Sequence, residues 1–262
     1  MSMWEKLGWA MKRVGKATGN QALIDKGRQW QYGHLSPAQL MRQHPSAFLR
    51  TYAVQSHLEQ PDRVGAAAST QQTFQLRHDP GNATVFPTSM THIHGNDGVT
   101  RTPRAHLHLI FDRDAGVHQQ VHQSQPAGGN FQAAFLPMRQ VAQDNFGGQL
   151  RVNRHRIPQW RTGNISQAAL GRQPEDLTLT TQLSGCTIAK RANNTLLHLR
   201  PDVDGAVMHG SLPRASTFGR LDYPAQGEQA FVMMKQKNGR QRLYFQRHDP
   251  NTGHMYSGKK DL

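Results

Sequence analysis

The sequence is poor in cysteine, in acidic residues and in long apolar runs. Cys186 is the single cysteine among 262 residues, which excludes an intramolecular disulfide and a cysteine-based zinc cluster. A chain that works in a reducing cytosol would keep this one thiol free. The sequence also lacks an apolar run of about 18 residues, so it predicts no transmembrane helix.

The first residues lack the apolar segment and the small-residue cleavage site of a Sec signal peptide. If the protein leaves its cell, we therefore expect it to use a secretion machine that needs no cleaved signal.

Acidic residues are outnumbered by basic ones. The 31 lysines and arginines against 17 aspartates and glutamates give a net charge of +14, which favours contact with acidic surfaces such as an anionic membrane. Because the basic residues are spread along the whole chain, we expect no specific nucleic-acid site. The hydrophobic fraction is 36%, and this low value predicts a modest core with long polar loops.

Residues 1–72 are predicted to form a helical N-terminal region. Apolar residues recur at helical spacing over 3–16, with basic residues elsewhere on the helix, and 22–32 predicts a second helix. Two interpretations of residues 1–32 stay open. The segment is either an amphipathic surface for an anionic membrane or a secretion partner, or a helical hairpin packed on itself or on the main domain.

Further helices are predicted after residue 35. Ser36 and Pro37 have the pattern of a helix N-terminus, and this helix should end near residue 44. Residues 46–58 predict another helix. The polar stretch 59–72 is predicted to be a linker that separates the N-terminal region from a main domain over 73–262.

From residue 73 onward, short strand-like stretches alternate with turn signals. The predicted strands cover residues 73–77, 83–86, 105–111, 131–136, 149–153, 177–182, 186–190, 195–199, 205–209, 230–236 and 241–247. Residues 166–170 predict a short helix. Helices followed by strands predict an α+β fold, in which a basic helical N-terminal segment precedes a β-sandwich-like domain of mixed or antiparallel strands.

Cys186 and His198 lie on either side of a predicted hairpin. Residues 187–189 and 195–199 are its strands, and 191–194 is a polar turn. Antiparallel pairing would bring the two side chains to one end of the hairpin. An imidazole beside a thiol can shift the thiol towards the reactive thiolate, so the pair is a candidate nucleophile and base.

The run Leu183-Ser184-Gly185-Cys186, followed by His198 twelve residues later, resembles the active-site motif of the LSGC-motif glutamine deamidase toxins. This is the family of the cytotoxic necrotizing factor catalytic domain and of the Burkholderia lethal factor. Thr180 stands six residues before the cysteine, as a threonine does in that motif. The stretches 217–220, 227–230 and 239–241 are similar to a downstream part of the family, and 134–137 to an upstream part.

The resemblance implies a protein-glutamine deamidase that needs no cofactor. Cys186 would attack the carboxamide of an exposed glutamine on a target protein, with His198 as base and acid and Thr180 orienting it. Ser184 and Gly185 would lie near the substrate and the oxyanion. The resemblance also implies a secreted bacterial effector or toxin that acts in the cytosol of a target cell, with a transglutaminase side activity and a chaperone or immunity protein as candidate partner.

Several alternatives stay open. Asp202, Asp204 and Gln182 are other candidates for the group that orients His198. The scaffold could also serve a non-enzymatic binding protein.

A metal-dependent enzyme is the third alternative. Two His-x-His pairs, His92 with His94 and His106 with His108, would gather imidazoles on adjacent strands, with His118 and His122 further along the chain.

Overall fold

The structure is a computed structural model. It describes residues 3–58, 70–80, 90–136, 151–152, 155–156, 164–169, 177–190, 195–201, 204–237 and 240–262. The helices are α1 (Met3–Thr18), α2 (Gln21–Tyr32), α3 (Pro37–Gln43), α4 (Pro45–Thr51), α5 (Ala115–His122) and α6 (Gly205–Gly210). None of these described helices has the length and apolar character that a bilayer crossing needs.

The described strands are numbered in chain order. They are β1 (Tyr52–Ser56), β2 (Thr70–His78), β3 (His92–Gly95), β4 (Thr100–Arg101), β5 (Ala105–Phe111), β6 (Gln125–Pro126), β7 (Phe131–Leu136), β8 (Arg151–Val152), β9 (His155–Arg156), β10 (Asn164–Ala169), β11 (Leu177–Thr180), β12 (Thr187–Lys190), β13 (Thr195–Arg200), β14 (Thr217–Phe218), β15 (Gln229–Lys237), β16 (Arg240–Asp249) and β17 (His254–Asp261).

Most strands belong to one large mixed sheet in the order β1-β5-β2-β7-β11-β15-β16-β17-β3-β4, with β6 paired to β2. The pairs β1–β5, β7–β11 and β3–β17 are parallel, and the others are antiparallel. A smaller antiparallel sheet has the order β10-β13-β12-β14, and β8 pairs with β9.

The large sheet buries apolar side chains on both faces. Alternate residues of a strand point to opposite faces. On one face, Leu179 and Phe231 pack in a core with Phe48 of α4. On the other face, the large sheet meets the smaller one in what we call the inter-sheet layer. Its buried members are Leu136, Leu183, Cys186, Ile188, Leu196, Phe218, Tyr223, Ala230, Val232, Met234 and Leu243.

The outer face of the smaller sheet is covered in turn by α6. Leu197 and Leu199 of β13 pack there with Met208 of the helix. The smaller sheet is thus buried on both faces. Residues of β13 therefore point alternately to the inter-sheet layer and to α6.

Two buried glutamine side chains accept hydrogen bonds from backbone N–H groups on the outer edge of β1. This edge has no strand partner among the described residues. Gln246 of β16 accepts a hydrogen bond from the Val54 N–H. Gln182 accepts one from the Ser56 N–H. These bonds connect β1 to β16 and to the segment that follows β11, so β1 is an integral part of the main body.

The α1–α2 hairpin packs through glycines. A Cβ added at Gly8 would lie 2.4 Å from the Gly27 carbonyl oxygen, so the two backbones are in direct contact. Several large apolar side chains of α1 are exposed, among them Trp4 and Leu7, although the Trp4 ring also contacts Trp30 of α2. The hairpin also contacts the main body, where Arg28 pairs with Asp97 at 2.8 Å.

The predicted α+β class is confirmed, as are the first three helices. Ser36 forms the capping box expected of its sequence, with Gln39 as the reciprocal partner. The predicted strands at 105–111 and 131–136 match β5 and β7, and those at 230–236 and 241–247 lie within β15 and β16. The predicted hairpin of 187–189 and 195–199 corresponds to the pair β12–β13. The predicted strand at 83–86 and most of the one at 149–153 lie outside the described residues.

Three predicted elements are wrong. Residues 205–209 form α6 instead of a strand, because Asp204 caps the helix by accepting hydrogen bonds from two backbone amides of its first turn. Residues 164–169 form β10 instead of a helix and pair with β13. The helix predicted over 46–58 ends at Thr51, where the chain turns into β1.

The predicted domain boundary also needs correction. Residues 59–69 of the predicted linker lie outside the described part of the chain, and 70–72 belong to β2. Both β1 and β2 pair with β5 in the same sheet. The stretch 59–72 therefore connects two strands of one sheet, and α3, α4 and β1 share a core with the main domain.

Candidate functional site

The segment before Cys186 is fastened to the large sheet. Leu183 forms an isolated antiparallel bridge with Ala230 of β15, and the two residues exchange both backbone hydrogen bonds at 2.8 Å. Ser184 is then exposed, Gly185 is half-buried and Cys186 is buried. The chain thus passes from solvent to the inter-sheet layer within two residues.

Cys186 and His198 lie on the same face of the smaller sheet. Ile188 of β12 pairs directly with His198 of β13. Cys186 precedes Ile188 by two residues and packs in the inter-sheet layer with it, and His198 follows Leu196 of that layer by two. The two residues are therefore diagonal neighbours across the hairpin, a relationship that places backbones roughly 7–8 Å apart.

Thr180 approaches His198 from the large sheet. Leu179 points into the core beside α4, so Thr180, its neighbour in β11, points into the inter-sheet layer. Its Oγ1 lies 2.9 Å from Nδ1 of His198. The same oxygen lies 2.9 Å from the Leu136 carbonyl oxygen of β7. The structure thus brings together the threonine and the histidine that the sequence motif proposes.

These two contacts determine the tautomer of His198. The Leu136 carbonyl can only accept, so the single hydroxyl hydrogen of Thr180 is donated to it. The imidazole Nδ1 must then carry a hydrogen and donate it to Thr180 Oγ1. The other ring nitrogen, Nε2, keeps its lone pair. Nε2 is buried and has no hydrogen-bond partner among the described residues.

Burial makes both members of the pair neutral in this conformation. It lowers the pKa of His198 to about 3, and it raises the pKa of the Cys186 thiol to about 11, with nearby Arg200 acting in the opposite direction. The charged forms are disfavoured because the site is shielded from water. The thiol is therefore protonated at neutral pH, and the imidazole has not shifted it to the thiolate here.

Tyr223 forms a hydrogen bond with the backbone of Cys186, and sequence analysis did not identify this residue. Its hydroxyl donates a hydrogen bond to the Cys186 carbonyl oxygen at 2.6 Å. Tyr223 is fully buried in the inter-sheet layer, and burial raises its pKa well above the ordinary value, so it remains a donor. No local pattern around Tyr223 in the sequence indicates this role.

The other candidates for orienting His198 have different partners. Gln182 binds the Ser56 N–H with its oxygen and Gln229 with its nitrogen. Asp204 accepts from the backbone amides of Ala206 and Val207 at the start of α6. Asp202 lies outside the described residues.

The stretches that resemble the deamidase toxins meet around the motif. In β14, Phe218 pairs with Ile188. Ala230 bridges to Leu183, and Leu136 binds Thr180 through its carbonyl. Segments far apart in sequence thus surround one hairpin.

The four histidines proposed as a metal alternative do not form one group. The pairs lie on β3 and β5, which are not neighbours in the sheet. The rings of His92 and His94 are near His254, with centroids 5.9 and 4.6 Å away. His106 contacts the Met90 carbonyl oxygen at 2.9 Å. His108 instead belongs to a different cluster.

That cluster contains His57, which sequence analysis also missed. The Nε2 atom of His57 lies 2.9 Å from Nδ1 of His108. The side chains of His118 and His122 from α5 complete the group, with ring centroids 4.4 Å apart. His57 lies just beyond β1, in a stretch where a helix was predicted, so its position depends on the pairing of β1 with β5.

No protein-family model matches this sequence, and no curated protein is significantly similar to it.

Proposed function

We propose that this protein is a protein-glutamine deamidase in which Cys186 is the nucleophile and His198 the general base and acid. The observation that carries the proposal is the Thr180–His198 hydrogen bond, because it leaves Nε2 unprotonated in the layer that holds Cys186. A base held in one tautomer by a third group is the arrangement that activates a weak nucleophile. Thr180 is in this scheme a positioning residue.

The reaction follows from these roles. Nε2 of His198 takes the proton of the Cys186 thiol while Sγ forms a bond to the glutamine carboxamide carbon. The carbon–nitrogen bond then breaks, and the imidazolium gives its proton to the leaving nitrogen, which departs as ammonia. Water, deprotonated by the same Nε2, attacks the thioester, and the thiol leaves with that proton. The product is a glutamate side chain on the target.

Burial of the sulfur makes substrate entry a required step. Cys186 is 6% exposed, whereas Ser184 beside it is exposed. A glutamine side chain reaches Sγ once the Ser184–Gly185 segment moves outward. The amide N–H of Cys186 is our candidate donor to the oxyanion.

The proposed setting is the cytosol of a target cell, reached by a secretion route without a cleaved signal. It is supported by the motif and by the presence of one cysteine, whose thiol a reducing cytosol preserves.

We also propose that the α1–α2 hairpin binds an anionic membrane surface. Trp4, Trp9 and Val14 are exposed on α1, and Trp4 also contacts the Trp30 ring of α2, with centroids 5.5 Å apart. Lys6 and Lys16 are exposed on the same helix. An exposed apolar and cationic helix surface suits the interface of anionic lipids.

The deamidase proposal is tested by producing the wild type and Cys186→Ser separately in a bacterial and a eukaryotic host. Quantitative mass spectrometry then compares glutamine-to-glutamate conversion across each proteome. We expect at least one glutamine converted only with the wild type, and no conversion with His198→Ala. Equal conversion with all three proteins, each shown to be folded by circular dichroism, would overturn the proposal and favour the binding-protein alternative.

A further inference from the structure

A cluster of four histidines lies between α5 and the end of β1. His57 follows β1, and His108 lies in β5. His118 and His122 lie one turn apart on α5, so their side chains share one face of the helix. The ring centroids of His57 and His118 are 4.9 Å apart, and those of His108 and His118 are 4.8 Å apart.

The geometry of this cluster fits a metal ion. One ring nitrogen from each of His57, His108 and His118 lies within 4.8 Å of the other two. Zinc–nitrogen bonds of about 2.0–2.1 Å in a tetrahedral site hold ligand nitrogens roughly 3.4 Å apart. Small side-chain rotations would therefore bring these three nitrogens to one ion.

In His108 and His118, the ring nitrogen that would not bind the metal has a polar partner, as is usual in metal-binding histidines. Nε2 of His108 lies 3.5 Å from the Asp79 carboxylate, while its Nδ1 faces His57. Nδ1 of His118 lies 2.8 Å from the Ser124 hydroxyl, which also accepts a hydrogen bond from Arg77. A polar partner on the second nitrogen fixes the ring and its tautomer.

If the cluster held no metal, two of its buried ring nitrogens would lack a partner among the described residues. Nε2 of His118 and Nδ1 of His122 are buried and have no hydrogen-bond partner among the described residues. His118 itself is only 7% exposed. Buried polar atoms without partners are costly, and a metal ion would supply the missing partner.

We propose that His57, His108 and His118 bind Zn²⁺, with His122 as the fourth ligand. Imidazole nitrogens suit this ion, and four protein ligands make the site closed and structural. The bound ion would fasten α5 to the end of β1. This proposal does not rest on the deamidase activity.

The test is metal binding by the full chain after chelator treatment. Calorimetry with Zn²⁺ and visible absorption with Co²⁺ are compared for the wild type, His118→Ala and His254→Ala. His254 is the matched control because it belongs to the separate group with His92 and His94. We expect one tight equivalent in the wild type and in His254→Ala, with tetrahedral Co²⁺ bands, and binding at least about 100-fold weaker in His118→Ala.

Three further measurements guard against a variant that fails to fold. His122→Ala changes a partly exposed helix position and should also lose tetrahedral Co²⁺ bands while remaining helical by circular dichroism. Asp79→Asn should weaken Zn²⁺ binding by about 10–100-fold. In addition, Zn²⁺ should raise the melting temperature of the wild type. A wild type that binds no stoichiometric Zn²⁺, or binding that survives in both His118→Ala and His122→Ala, would overturn the proposal.

Discussion

The Thr180 hydroxyl accepts a hydrogen bond from Nδ1 of His198 across the two sheets, at 2.9 Å. Because the hydroxyl gives its own hydrogen to the Leu136 carbonyl, the imidazole is held in the tautomer whose Nε2 can take a proton. A side chain of the large sheet thus sets the proton-accepting atom of a side chain of the smaller sheet.

Thr180→Val should impair the proposed deamidation more than it impairs folding. Valine fills the same volume but cannot accept the Nδ1 hydrogen, so His198 loses its fixed tautomer. A small displacement of a catalytic group costs up to about a hundredfold in rate, and we expect a loss of about that size in glutamate formation. Thr180→Ser, which keeps the hydroxyl, is the matched control and should restore most of the rate. Equal rates in Thr180→Val and the wild type would remove Thr180 from the mechanism.

Alkylation of Cys186 should be slow at neutral pH in the folded protein. Burial raises the thiol pKa to about 11, which leaves about one part in ten thousand as thiolate at pH 7. We expect the iodoacetamide rate to rise about tenfold per pH unit up to pH 10, and to be far faster at pH 7 in urea. Since the chain has one cysteine, every labelled molecule reports this site. Rapid labelling of the folded protein with an apparent pKa below about 8 would show a preformed thiolate–imidazolium pair instead.

The protein should lose stability as the pH falls below 6.5. Burial lowers the pKa of His198 to about 3 and that of His248 to about 4, whereas both groups titrate near 6.5 when unfolded. Between these values the unfolded state binds more protons, so the free energy of unfolding decreases with falling pH. Each group contributes about 1.4 kcal/mol per pH unit.

Urea unfolding at pH 7.5 and pH 5.0, with chelator present, measures this dependence. His248→Gln should reduce the difference between the two midpoints, provided that it is folded at pH 7.5. Identical midpoints for the wild type at the two pH values would contradict the prediction.

Local sequence patterns predicted the hairpin that carries Cys186 and His198. The residues around that hairpin depend on pairing between strands that are distant in the chain. The Cys186–His198 hairpin was predictable because strand, turn and strand follow each other directly in the chain. Thr180 was predicted only through the resemblance to the LSGC motif, because nothing in its local sequence distinguishes a threonine that orients a base from any other strand threonine. His57 could not be placed with His108 from sequence, since their contact depends on the register of β1 against β5. Asp204 is a residue type that caps helices, and the strand prediction for 205–209 did not take this signal into account.

Gln246→Leu should destabilise the fold strongly. The Gln246 amide accepts from the Val54 N–H at 2.9 Å and donates to the Leu49 and Tyr52 carbonyls at 2.8 and 2.9 Å. Leucine has a similar volume but leaves these buried backbone groups without a partner, at a cost of about 1–3 kcal/mol each. We expect the free energy of unfolding to fall by about 3 kcal/mol or more. Gln226→Leu, at an exposed position, should change it by less than about 0.5 kcal/mol, and similar losses in both variants would contradict the role of Gln246.

Trp4→Ser combined with Trp9→Ser should abolish binding of the full chain to anionic vesicles. The two side chains are 54% and 43% exposed, so their replacement removes apolar surface that faces solvent. It also removes the contact between Trp4 and Trp30, and circular dichroism checks that the variant keeps its helices. Co-sedimentation with vesicles of phosphatidylserine and phosphatidylcholine measures the bound fraction, and pure phosphatidylcholine vesicles test the contribution of charge. Val117→Ser is the matched control, because Val117 is also exposed, at 65%, but lies on α5. We expect the wild type and Val117→Ser to bind only the anionic vesicles. If the double tryptophan variant binds as well as the wild type, the attraction comes from the net charge of +14 alone, and the hairpin is not a membrane contact.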